Sequence, residues 1–134
     1  FMEYNELFNT VAHVTIGLSE IEKSEEAMID FLATQNPEQV VFIVFRPTSG
    51  TELAQKPAPE IFRIIEILAY ANQKLDCKII LGCMRPAGSH RRNLDILAWM
   101  HGIDSIVMPD KKLIEILQRN HVPVNSTYNC CAFG

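Results

Sequence analysis

The chain has no stretch that suits a membrane. Its longest apolar run, residues 40–45, falls far short of the ~20 residues a spanning helix needs, and no apolar segment follows a basic N-terminus. Secretion and insertion are both disfavoured, and the cytoplasm is the expected compartment. Positive charge is also scarce: 12 Lys and Arg stand against 16 Asp and Glu, a net charge of −4. Nucleic-acid binding, which needs a clustered positive face, has no global support. The four cysteines, Cys77, Cys83, Cys130 and Cys131, form no CxxC pair and no zinc-finger spacing. Without a secretion signal they are read as reduced thiols, Cys77 and Cys83 as small buried groups. There is no GxGxxG, no Walker loop and no GxSxG elbow, which removes the nucleotide-binding and hydrolase readings that rest on them. None of the four histidines is spaced from another as metal ligands are.

What remains is 134 residues that are 48% hydrophobic and 21% charged, the composition of one globular domain. Apolar periodicity splits it into alternating strand-like and helix-like pieces. After a short helical lead over residues 1–9, residues 11–18 read as a strand. Ser19 and Glu22 then form an S-x-x-E capping box for a helix that packs Ala27, Met28, Phe31 and Leu32. Residues 40–45 read as a strand covered on both faces, and residues 46–58 as a loop. Pro59 suits the first turn of a helix carrying Phe62, Ile65, Leu68 and Ala69. A third strand spans 78–82, a helix spans 91–101 with Gly102 as its stop, and a fourth strand spans 103–108. Asp110 caps a helix through Leu117, and Pro123 begins an irregular tail. Thus residues 11–120 form four consecutive βα units, with a Cys-containing tail at 121–134. No hairpin signal separates the strands, so a parallel sheet with right-handed crossovers is expected.

Loops that leave strands are richer than loops that enter them. In β/α folds, chemistry collects at the carboxyl ends of strands. The leaving segment 81–92 joins glycines, a helix N-terminus and three arginines, with no acid between Asp76 and Asp95, and can hold a carboxylate or phosphate. Arg85 and Arg91 are its candidate ligands. Arg46 ends a strongly apolar strand and is expected over the sheet edge, its alternative being a snorkelling rim residue. His13 shares a strand face with Thr15 and Gly17, and reads either as a hydrogen-bonded core residue or as a substrate or anion contact. The adjacent thiols Cys130 and Cys131 are weak metal candidates.

Three segments in order, His13-Val14-Thr15-Ile16-Gly17-Leu18-Ser19-Glu20, the run 41–51 ending Arg46-Pro47-Thr48-Ser49-Gly50-Thr51, and Leu81-Gly82-Cys83-Met84-Arg85-Pro86, resemble successive parts of a radical SAM enzyme. The resemblance is to biotin synthase-like and lipoyl synthase-like proteins. It continues through Asn93-Leu94-Asp95 to Met108-Pro109 and covers about residues 11–110. It implies the C-terminal half of a TIM-type (β/α) barrel, units five to eight, completing a pocket for S-adenosylmethionine and a small-molecule substrate. Thr15 and Gly17 resemble positions near the adenine, and Ile43 and Arg46 positions facing the nucleoside or methionine part. Cys83 to Arg85 and Met108 would line the later part of the mouth.

In that family a CxxxCxxC loop binds a 4Fe-4S cluster that cleaves the cofactor to a 5′-deoxyadenosyl radical. This chain contains no such loop. The resemblance therefore implies a parent enzyme, catalysing sulfur insertion or related radical chemistry, whose cluster ligands lie elsewhere and whose C-terminal part is inactive alone. Phe1 in place of Met agrees with residues upstream. Val11 and Ile80 stand where biotin synthase proper carries a cysteine and an arginine for its second cluster, which argues against that one activity. The expected partner is the missing half-barrel or a second copy. Two alternatives accompany this reading: a non-catalytic half-barrel holding an anionic metabolite at Arg46, Arg85 and Arg91, and a flavodoxin-like open sheet with a flavin or phosphate over residues 17–20.

Overall fold

A computed structural model describes residues 10–127. Four strands alternate with four helices: β1 (Ala12–Ile16), α1 (Ser24–Gln35), β2 (Gln39–Val44), α2 (Ile61–Lys74), β3 (Lys78–Leu81), α3 (Ser89–Met100), β4 (Ser105–Ile106) and α4 (Lys111–Arg119). The strands form one parallel sheet in the order β1-β2-β3-β4. This is the expected run of four consecutive βα units. Each crossover steps to the next strand in the same direction, so the sheet is singly wound. A flavodoxin-like sheet reverses its strand order and carries helices on both faces; the unreversed order here excludes that alternative for the described residues.

The strand pattern divides inside from outside. Val14 and Ile16 of β1, Val40, Phe42 and Val44 of β2, and Ile79 and Leu81 of β3 point towards the helices. They pack with Ile29 and Leu32 of α1, Ile64, Ile67, Leu68 and Ala71 of α2, and Leu94 and Ala98 of α3 in the main core. Val40, Phe42 and Val44 on the helix-facing side of central β2 are fully buried, each contributing on the order of 2 kcal/mol. The opposite sheet face carries a smaller cluster of Val41 and Ile80, packed with Val11, Ile43 and Val107. Gly82 belongs to this face. A Cβ there would lie 2.7 Å from Ile43 Cγ2 and 2.9 Å from Val41 Cγ1, so both side chains occupy the space a larger residue would need.

Several local expectations are corrected. The Ser19–Glu22 box does not form: Ser19 Oγ accepts from the Ile21 N–H at 3.0 Å, and α1 begins later, at Ser24, with no side-chain cap. A short hydroxyl beside a turn bonds two residues on as readily as it caps a helix. Glu25 takes the linking role instead, accepting from the Gly17 N–H at 2.9 Å and from Ser24 Oγ at 3.2 Å. The buried face of α1 is Ile29 and Leu32, leaving Met28 and Phe31 exposed. In α2 the buried face is Ile64, Ile65, Ile67, Leu68 and Ala71, and Phe62 is 78% exposed. Pro59 lies ahead of α2 rather than in its first turn. The third helix starts at Ser89, and β4 is shorter than expected. The helical lead over residues 1–9 lies outside the described residues.

Other punctuation agrees. Asp110 caps α4 through the Lys112 N–H at 2.8 Å. Gly102 ends α3 at φ +78°, with the Ile103 N–H on the Ala98 carbonyl and the Gly102 N–H on the Trp99 carbonyl, a Schellman closure. The same closure ends α4, but there His121 takes the left-handed position at φ +54°. A side chain in that conformation is strained by about 1 kcal/mol relative to glycine. His121→Gly should raise stability by about that amount, read as a higher urea midpoint with unchanged slope; an unchanged or lower midpoint would contradict the strain argument.

Candidate functional site

The carboxyl ends of the strands are knitted together by one buried ion pair. Arg85 is 1% exposed and Asp95, on α3, is fully buried. Arg85 Nε donates to Asp95 Oδ1 at 2.7 Å and Nη2 to Oδ2 at 3.0 Å, a bidentate fork. Nη1 donates to the Gly82 carbonyl, and Nη2 also reaches the Met108 carbonyl at 3.3 Å. Asp95 Oδ2 additionally accepts from the Asp110 N–H at 2.8 Å. The pair thus connects the loops after β3 and β4 with α3. Arg85 is corrected here from anion ligand to structural anchor, because four of its five N–H directions are already filled.

Arg91 is differently placed. It is half-buried, and Nη2 donates to the Met108 carbonyl at 3.0 Å. Met108 has φ +49°, and in that turned conformation its carbonyl accepts from both arginines. Burial and the neighbouring Arg85 charge both push the Arg91 guanidinium below its ordinary range, against weaker opposition from Asp95. His13, the third anion candidate, is exposed on β1 with Nδ1 3.3 Å from the Val11 carbonyl oxygen. It sits at the opposite edge of the sheet from β4, so the structure does not bring His13 together with Arg85 and Arg91.

The four cofactor candidates lie at the β1–β2 end. Thr15 and Ile43 are register partners, hence neighbours on the helix-free face. Both are half-buried, and Arg46 is exposed just beyond the end of β2. Gly17 follows β1 at φ +81°, and a Cβ there would lie 2.7 Å from Pro59 Cγ. Packing against Pro59 and the left-handed turn therefore account for the glycine without a ligand. Pro59 is fixed from its other side, its carbonyl accepting from His90 Nε2 at 3.0 Å. That assigns the proton to Nε2 and leaves Nδ1 buried without a partner among the described residues. The loop between β2 and α2 folds back over this end: Lys56 Nζ donates to the Leu18 carbonyl at 2.7 Å and lies 5.8 Å from the centre of the Phe45 ring.

No group of three or more His, Cys, Asp or Glu among the described residues is arranged to hold a metal ion. These residues do not fit an iron–sulfur cluster, and Cys130 and Cys131 lie outside them. No described helix is long and apolar enough to cross a membrane. Compared with family models, curated proteins and solved structures, the chain matches none.

Sequence reasoning missed Asp95 as the partner of Arg85, and Glu25 as the tie to Gly17. Asp95 did carry a signal: it shares the buried face of α3 with Leu94 and Ala98, where a carboxylate requires a cation. Cysteine placement is also corrected. Cys83 is exposed at the carboxyl edge and Cys77, ahead of β3, is half-buried.

Two measurements follow from this geometry. Asp95→Asn leaves the Arg85 charge buried without its counterion and should cost about 3–5 kcal/mol in urea unfolding, whereas Glu115→Ala, which breaks the exposed pair with Lys112, should leave the midpoint essentially unchanged. Equal effects of the two would contradict the anchoring role. Burial, with Asp104 and Asp76 nearby, pushes the Cys77 thiol up. Peptide-resolved iodoacetamide labelling near neutral pH should therefore modify Cys83 several-fold faster than Cys77, and equal rates would contradict this placement.

Proposed function

We propose that the chain is the C-terminal part of a biotin synthase-like or lipoyl synthase-like radical SAM enzyme, completing a pocket for S-adenosylmethionine and a small-molecule substrate. The observation that supports this best is the singly wound sheet with helices on one face, on which the three family-like segments end side by side at the carboxyl edge. In this reading Ile43 supplies an apolar surface to the nucleoside, the Thr15 hydroxyl a polar contact beside it, and Arg46 a cation for the methionine carboxylate. Gly17 shapes the backbone of that rim, and none of the four is a catalyst. The sequence carries no CxxxCxxC loop, so in this reading the cluster ligands and radical initiation belong to the complementary half-barrel, and the chain alone is inactive. That half, or a second copy, covers the open edge of β1. The reading implies the cytoplasm, where the thiols remain reduced.

A second reading, a non-catalytic half-barrel that holds an anionic metabolite, is favoured by exposed Arg46 and by half-buried Arg91.

Calorimetry separates the two. The enzyme-derived reading predicts saturable S-adenosylmethionine binding that weakens about tenfold or more in Arg46→Ala, the scale of a lost charge-assisted hydrogen bond. Binding of simple anions alone, or S-adenosylmethionine binding indifferent to Arg46, would sink it.

A further inference from the structure

The shallow, open cleft between α3 and the start of α4, of about 680 Å³, is lined by Arg91, Arg92, Met108, Asp110, Lys111 and Lys112, with Pro109 and Glu115 completing it. Four cations thus face two carboxylates, in a chain whose net charge is −4. Both carboxylates are already engaged. Asp110 caps the Lys112 N–H and lies 3.7 Å from Arg92 Nε, and Glu115 pairs with Lys112 Nζ at 3.3 Å. Among the described residues Arg91 forms no ion pair, and its hydrogen-bonding partner is the Met108 carbonyl, itself shared with Arg85. A half-buried guanidinium that lines a cleft and shares its carbonyl partner with a second, buried guanidinium is an incomplete electrostatic arrangement. The downward pressure on the Arg91 pKa has the same origin. The first turn of α3, which carries Arg91 and Arg92, has no side-chain cap, so its dipole also favours negative charge nearby.

We propose that this cleft binds an oxyanion, the phosphate or carboxylate group of a small metabolite, through Arg91 with Arg92 and Lys111. Arg91 supplies a directed, fork-shaped contact at the inner wall, and Arg92 and Lys111 close over the anion from the two helices. The volume admits a small organic molecule as well as its charged group. Because the Thr15–Ile43–Arg46 rim lies on β1 and β2 and the cleft lies beyond β4, two to three strand spacings or about 10–14 Å away, the two sites are separate. The cleft site is compatible with the first reading of the function, and it narrows the anion site of the second to the Arg91 end of the sheet, without Arg46.

The test is titration of the full chain with inorganic phosphate and, separately, with acetate at constant ionic strength, followed by calorimetry and amide chemical shifts. Saturable binding of either anion, with shifts confined to residues 89–92 and 108–112, is expected. Arg91→Gln should weaken it at least tenfold. The double substitution Arg92→Ala with Lys111→Ala, which removes exposed side chains and the loose Arg92–Asp110 pair, should weaken it comparably with little change in the melting temperature without ligand. Preference for phosphate identifies a phosphorylated ligand and preference for acetate a carboxylate. The proposal is overturned if neither anion saturates, if the shifts scatter over the surface, or if the double variant binds as the parent does. Loss of this site would leave Arg46-dependent S-adenosylmethionine binding intact, so the two failures are distinguishable.

Discussion

The carboxyl edge of the sheet depends on the ion pair between Arg85 and Asp95. Taking two charges out of water costs several kcal/mol each, and a buried pair offsets that only when its remaining donors and acceptors are also satisfied. Here they largely are: carbonyls of Gly82 and Met108 bring the guanidinium to four of its five donations, and the Asp110 N–H adds a third bond to the carboxylate. The satisfied network specifies one arrangement. It fixes the loop after β3 to the loop after β4 through α3, and so determines where Arg91, Met108 and the start of α4 stand. An apolar pair of similar volume would fill the same space without setting those directions.

Much of the architecture was legible because it rests on periodicity and on strong punctuation. The strand-like runs at 40–45 and 78–82, Gly102 and Asp110 each identify their element through a backbone requirement that tertiary packing reinforces. The errors lie where two local solutions have similar energy. Ser19 offered a capping box and formed a turn. The expected faces of α1 and α2 are right at Leu32, Ile65 and Leu68 but also include Met28, Phe31 and Phe62, which are exposed; the sheet buries Ile29, Ile64 and Ala71 instead. Composition identified the arginine-rich loop, but it could not separate the buried Arg85 from the cleft-facing Arg91. That distinction requires knowing that Asp95 turns inward.

The carboxyl edge divides into two ends of different chemistry. At β1 and β2 the helix-free face is apolar and rimmed by Thr15 and Arg46, under a loop held down by Lys56. At β3 and β4 the surface is cationic and built on the ion pair. Pro59 joins the two: it packs on Gly17 of the first and holds His90, the second residue of α3, with its carbonyl. A change in the backbone at Gly17 is therefore felt at the start of the helix that carries Arg91.

Gly82 has a consequence for how this sequence can drift. The methyl groups of Ile43 and Val41 fill the volume where its side chain would be, so positions 41, 43 and 82 behave as a single volume shared among three residues. A larger residue at 82 is tolerable only alongside a smaller one at 43 or 41. Reducing Ile43 alone would open a void beside the rim. Among related chains these three positions should change together or not at all, and a departure from that covariation would identify a protein whose helix-free face has been rebuilt around something else.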